Sequence, residues 1–225
     1  MRVQILQHTS ETPPGSTESW LKMKKLSYAI TRLHQNERLP ALADFDGLIV
    51  LGGEMNVDQE ERYSWMGPEK RLIRTAIDAG KTVLGLCLGG QLIAEVLGGQ
   101  VGRHPHWEVG WQPVEFTGPM INCKTLHMFQ YHRYAFTTPP NAVQIATNQA
   151  CAHQAFMFGE KVVGVQFHPE ATAEWALQCA SDRDLPAADR FVQKPEEIVQ
   201  DTPLCLGPAQ AWYFSLLDQL IKGIS

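Results

Sequence analysis

The run Thr-Val-Leu-Gly-Leu-Cys-Leu-Gly-Gly-Gln at residues 82–91 limits the possible folds of this chain more than any other stretch. Its first five residues, 82–86, are apolar without polar alternation and too few for a helix, the pattern of a strand covered on both faces. A helical pattern follows at 91–97 and stops at Gly98 and Gly99, with no polar loop between it and the strand. A doubly covered strand that feeds a helix directly belongs in a layered α/β sheet.

The neighbouring segments repeat that alternation. Residues 3–7 predict a buried strand, closed by a loop at Pro13, Pro14 and Gly15. Ser16 or Thr17 is placed to cap a helix in which Trp20, Leu21, Lys24, Tyr28 and Leu33 recur at roughly helical spacing. Residues 46–53 (DGLIVLGG) predict a second parallel strand. Pro68 suits the first turn of the next helix, Leu72, Ile73, Ala76 and Ile77 form its apolar stripe, and Gly80 ends it.

After Val101, residues 111–116, 125–131, 152–158 and 162–167 are spaced as successive strands. The chain turns helical again from Thr172 and closes with an amphipathic helix over 208–221, Trp212, Leu216, Leu217 and Leu220 facing inward. Residues 182–203, rich in Asp, Pro and Gln, are expected as a surface excursion. These elements predict an α/β fold: a three-layer open, mostly parallel central sheet flanked by helices, with a smaller antiparallel β region in the second half. One domain over 1–225 is expected, with a catalytic core at about 1–175 and the excursion and closing helix at about 176–225.

Charge and cysteine usage exclude several function classes. With 24 acidic against 19 basic residues, the net charge of -5 does not favour a surface that neutralises nucleic-acid phosphates. Lys22, Lys24 and Lys25 are expected on an ordinary solvated face. The five cysteines, Cys87, Cys123, Cys151, Cys179 and Cys205, are odd in number and contain no CxxC pair, so neither a disulfide framework nor structural zinc is expected. The N-terminus lacks the pattern of a secretory signal and no apolar run is long enough to span a bilayer. A cytoplasmic protein with no membrane partner, no nucleic-acid partner and no cofactor is expected.

Gly85-Leu86-Cys87-Leu88-Gly89 has the grammar of a nucleophile turn, in which small residues let a strand bend sharply into a helix with a reactive side chain at the apex. The helix N-terminus would stabilise negative charge on the Cys87 sulfur. The N–H of Leu88 would point toward an oxyanion formed during attack on a carbonyl, and the Gly52-Gly53 loop can offer a second backbone donor. A cysteine at such a junction also serves as a small packing residue.

What favours chemistry is VQFHPE at 165–170. Proline keeps the preceding residue extended, and residues two apart in an extended chain share a side, so His168 and Glu170 can lie together as a base and its orienting carboxylate. Each alone would be an ordinary polar strand end. His8, His34, His104, His106, His127 and His153 have no comparable setting, and no helical HxxxH or carboxylate cluster marks a metal site.

GLCLGGQ and VQFHPE, in this order and preceded by LGG at 51–53, resemble the two signature motifs of the class I (triad) glutamine amidotransferases, with likeness over about 45–170. GGEMNVDQE resembles the stand-alone, GMP-synthase-like subgroup. The resemblance implies a flavodoxin-like fold and a γ-glutamyl thioester on Cys87, with His168 as general base and acid and Glu170 orienting it. It implies an oxyanion hole from Gly53 and Leu88, and substrate contacts from Gly52, Gln91 and the segment carrying Tyr131, Arg133 and Tyr134. Two departures stand out: Glu54 where the family usually has proline, and Arg133-Tyr134 where it often has glycine after the histidine equivalent to His132. The implied function is glutamine amide hydrolysis, with ammonia passed to a separate synthetase if it is transferred at all. An autonomous γ-glutamyl peptide hydrolase with the same triad, or a non-catalytic regulatory or binding domain, are the alternatives.

Overall fold

The computed structural model describes residues 1–117, 125–182, 185–186 and 190–222; Cys123 lies outside the described residues. In chain order the elements are β1 (Arg2–Gln7), α1 (Ser16–Met23), β2 (Ser27–Arg32), β3 (Gly47–Val50), α2 (Met66–Asp78), β4 (Thr82–Leu86) and α3 (Leu88–Val96). There follow β5 (Val101–Phe116), β6 (Thr125–Phe136), β7 (Val143–Thr147), β8 (Ala155–Phe158), β9 (Val162–Val165), α4 (Ala173–Ala180) and α5 (Pro195–Lys222).

All nine strands join one mixed sheet in the order β2-β1-β3-β4-β9-β8-β7-β5-β6. From β2 to β9 the neighbours are parallel. From β9 to β6 they are antiparallel. Two apolar layers follow from the period-2 alternation of strand side chains. Val3, Ile5, Ile49, Leu84 and Leu86 pack on one face with Trp20, Trp175, Tyr213 and Leu217 of α1, α4 and α5. Leu48, Val50 and Val83 pack on the other with Ile73, Ile77, Leu88 and Leu92 of α2 and α3. The result is a three-layer α/β architecture.

Several expectations need correction. The helical pattern over residues 20–33 divides into α1 and the edge strand β2. The chain leaves α1 through a Schellman turn: Lys25 adopts φ +55°, its N–H donates to Lys22 O (3.1 Å), and the Leu26 N–H donates to Leu21 O (3.0 Å). A lysine occupies the position where glycine would have announced the stop. The residue outside the first turn is Gly15, not Ser16 or Thr17, both of which are buried inside the helix.

The excursion expected at 182–203 is, from Pro195 onward, the first part of α5. Proline inside a helix orphans the carbonyl four residues earlier. Pro203 and Pro208 are tolerated because those carbonyls belong to Val199 and Leu204, which are 51% and 69% exposed and accessible to water. Among the described residues no helix is long and apolar enough to cross a membrane.

The second half also holds a strand that the spacing missed, β7, and a much longer β5 that forms a hairpin with β6. The hairpin register shifts between Arg103 and Glu108, a bulge that re-aims the side chains at its end. That end reaches the cavity described below.

Candidate active site

Cys87 stands between β4 and α3 with φ +51° and ψ -109°, a conformation that costs a non-glycine residue about 1–3 kcal/mol. The turn is held by close backbone packing on either side. A Cβ at Gly89 would lie 2.0 Å from Val50 O, one at Gly90 would lie 2.5 Å from Val165 O, and one at Gly85 would lie 2.4 Å from Gly89 O. Those glycines let α3 sit directly on β3 and β9. The Cys87 N–H donates to Val165 O (2.9 Å), which ties the apex to the neighbouring strand.

That neighbour is β9, paired with β4 so that Leu86 lies beside Val165. The next residues therefore emerge at the same sheet edge as Cys87. The His168 N–H donates to Phe129 O (2.8 Å), and Glu170 O accepts from Ser16 N–H (2.9 Å), fixing the bend around Pro169. Within it, His168 Nδ1 lies 2.7 Å from Glu170 Oε1, and the Cys87 sulfur is near enough to the imidazole to act on its charge. Trp175 packs on the ring at 4.9 Å between centroids. Cys87, His168 and Glu170 are all buried.

Burial alone would strip the proton from His168. The Glu170 carboxylate and the Cys87 sulfur outweigh it and raise the imidazole from its ordinary 6.5 to about 10. A raised folded-state pKa contributes stability fully present below about pH 6.5 and lost as pH rises toward about 10. The stability advantage of the wild type over His168→Gln is therefore expected to shrink across that window. Urea unfolding of both proteins at several pH values measures it, and a constant or widening gap would contradict the charge on His168.

The site opens into a cavity of about 850 Å³. Gly53, Cys87, Gln91, Tyr131, Arg133, Tyr134 and His168 line it. Gly52, Leu88 and Glu170 lie just behind. Gly52 packs against both Cys87 and His168: a Cβ there would meet His168 Cε1 at 2.7 Å and Cys87 Cβ at 3.5 Å. Gly53 is adjacent to Leu88, whose Cδ2 would lie 3.1 Å from a Cβ at that glycine. Among the described residues no group of three or more His, Cys, Asp or Glu is placed to hold a metal ion. Burial pushes the thiols of Cys151 and Cys179 up to about 12, with Glu108 and Asp182 adding to it, which leaves both protonated at neutral pH.

The glutamine amidotransferase class-I family profile matches residues 20–176 of this chain. The chain belongs to that family. Over 185 residues it is 31% identical to YfeJ of Salmonella typhimurium, described as a glutamine amidotransferase-like protein, covering 77% of each chain. It is 34% identical over 133 residues to the glutamine-hydrolysing GMP synthase of Aliivibrio fischeri, covering 56% of this chain and 24% of that protein. It thus spans only about a quarter of the GMP synthase. A crystal structure of a glutamine amidotransferase from Methylobacillus flagellatus superposes with a TM-score of 0.93 at 29% identity, covering 99% of this chain and 94% of that one.

In this class I amidotransferase chain the two departures from the family motifs fall at the cavity. Glu54 is exposed at its lining. Arg133 lies with its guanidinium 5.8 Å from the centre of the Trp107 ring, and the Tyr131 hydroxyl donates to Asp182 (2.5 Å). The amide nitrogen of Gln91 is already engaged: it donates to Tyr134 O (2.9 Å) and lies 3.4 Å from Gln166 Oε1. Gln91 therefore touches the cavity and also braces its wall.

Gln166 is a residue that sequence reasoning passed over. It is fully buried, and its amide donates to the Cys87 sulfur at 3.9 Å. The signal was present, since it lies in the VQFHPE motif two positions before His168. Behind the wall, buried Glu108 accepts from Gln154 (2.8 Å) and Asn148 (2.6 Å) and lies 3.3 Å from His132 Nε2. That cluster stiffens the strand carrying Tyr131 to Tyr134. Its four members lie at separate positions in the chain, and no local pattern joins them.

Proposed function

We propose that this protein hydrolyses the γ-carboxamide of glutamine through a thioester on Cys87. The observation that carries this reading is the convergence of Cys87, His168 and Glu170 at the edge of one cavity, with Glu170 2.7 Å from the outer nitrogen of the imidazole. With its proton held on His168, the sulfur attacks the amide carbon, and the backbone N–H groups of Gly53 and Leu88 receive the oxyanion. The tetrahedral species collapses by breaking the C–N bond, and His168 gives its proton to the departing nitrogen, releasing ammonia. His168 then takes a proton from water as the water attacks the thioester. The C–S bond then breaks, glutamate leaves, and the pair is restored with the proton on His168 beside the released sulfur. Glu170 orients the ring throughout and balances its charge.

The likeness to glutamine-hydrolysing GMP synthases supports glutamine as substrate and a separate synthetase as acceptor of the ammonia. The protein would work in the cytoplasm without a cofactor. One observation favours a second reading with the same chemistry. A cavity of about 850 Å³ is in the upper part of the ~300–1,000 Å³ range of small-molecule pockets and exceeds what a free amino acid fills. Its outer wall, with Arg103, Trp107, Arg133 and Gln178, leaves room for the amine portion of a γ-glutamyl peptide.

Purified protein is incubated with glutamine and, separately, with γ-glutamyl dipeptides, and released glutamate is measured against Cys87→Ala. Release from glutamine that disappears in Cys87→Ala is the expected result. A strong preference for the dipeptides moves the assignment to the second reading. No Cys87-dependent release from either overturns both.

A further inference from the structure

Two ionisable groups that this reaction does not use are buried together beside it. His8, just beyond β1, and Glu69, near the start of α2, are both 0% exposed, and His8 Nε2 lies 2.8 Å from Glu69 Oε1. The other ring nitrogen, Nδ1, lies 3.0 Å from Gly52 O. Trp65 packs on the imidazole with centroids 5.3 Å apart and holds its plane. Burial alone would discharge the ring, but the facing Glu69 carboxylate outweighs it and raises the His8 pKa above 6.5. A carbonyl oxygen can only accept, so Nδ1 carries a proton and donates it to Gly52 O, while Nε2 faces the Glu69 carboxyl.

The anchored carbonyl belongs to a peptide with glycine on both sides. Without a Cβ on either residue, such a peptide can turn over between two orientations at little steric cost. In a planar trans peptide the carbonyl of Gly52 and the N–H of Gly53 point in opposite directions, and the chain has no cis peptide bond among its described residues. Holding the oxygen on the His8 side turns the Gly53 N–H the other way, toward the cavity that Gly53 lines.

We propose that His8 and Glu69 are positioning residues that lock the Gly52-Gly53 peptide with its N–H presented to the oxyanion. The inference rests on the reading of Cys87 as the nucleophile. It makes the pair part of the catalytic machinery although neither side chain touches substrate. Glu69 fixes His8, His8 fixes one carbonyl, and that carbonyl fixes one donor.

Asparagine and glutamine at position 8 separate this role from a merely structural one. The amide of asparagine reaches where Nδ1 lies, toward Gly52 O, whereas that of glutamine reaches where Nε2 lies, toward position 69. Both are made with Glu69→Gln, so that no buried charge is left unpaired. His8→Gln/Glu69→Gln is expected to lose about 10²–10³-fold in kcat on glutamine, the usual effect of losing one oxyanion donor, with KM changed by less than about threefold. His8→Asn/Glu69→Gln should recover to within about tenfold of wild type.

Alkylation of Cys87 by iodoacetamide displaces iodide from a saturated carbon and forms no oxyanion. Its rate should stay within about threefold of wild type in both variants, because the nucleophile is untouched. Equal losses in the two variants overturn the inference, as does an unchanged kcat in the glutamine variant. An alkylation rate displaced by more than about tenfold in either direction does the same, since the pair would then be holding the whole site or the fold. Absence of Cys87-dependent release in the wild type is a separate result, which removes the reaction itself and the inference with it.

Discussion

Alanine in place of either Cys87 or His168 is expected to lower kcat for glutamate release by about 10⁴-fold or more, and the double substitution to lose no more than either single one. In the proposed mechanism the sulfur and the imidazole form one unit: the ring would hold the proton that the sulfur gives up and later deliver it to the leaving nitrogen. Removing either partner removes that path entirely, so the second removal has nothing left to take. Purified single and double variants assayed with glutamine, with melting temperatures to show that each is folded, measure this. Losses that multiply would mean that the two residues act independently, contrary to their electrostatic coupling.

Gly89→Ala is expected to destabilise the protein by about 3 kcal/mol or more, at or above the upper end for overpacked positions. The added Cβ would lie 2.0 Å from Val50 O and 2.7 Å from Val50 C. Both are backbone atoms of β3, which cannot swing aside as a side chain does. The Gly89 N–H also donates to Leu51 O (3.1 Å), so relief of the clash by lifting α3 would break that bond and displace Cys87. Gly102→Ala is the control, because nothing lies within 4 Å of a Cβ there, and its effect should stay within about 0.5 kcal/mol. Urea unfolding of both variants makes the comparison. A Gly89→Ala protein as stable as Gly102→Ala would mean that α3 does not need this close approach.

The features legible along the chain share a local physical cause. The strands at 47–50 and 82–86 were readable because a doubly buried strand must be apolar on both sides. The closeness of His168 and Glu170 was readable from their spacing around Pro169, but the two meet across a turn closed by the Ala171 N–H on His168 O (3.3 Å), not along an extended chain. The turn at Cys87 was readable from the small residues around it. Signals failed where tertiary surroundings reversed a local rule. Lys25 ends α1 in a conformation usually assigned to glycine, and Pro203 and Pro208 lie within α5 because water can satisfy the carbonyls they release.

The sequence by itself therefore determined the α/β class, the turn that carries Cys87 and the local pair His168 and Glu170, since each depends on residues within a few positions of one another. Only the tertiary structure decided what surrounds them. The pairing of β4 with β9 brings residue 168 to residue 87, the β5 and β6 hairpin forms a cavity wall with Arg133, and β1 and α2 bring His8 and Glu69 together across 61 positions. A contact between residues far apart leaves no periodicity in the chain. It exists only once the sheet order is set.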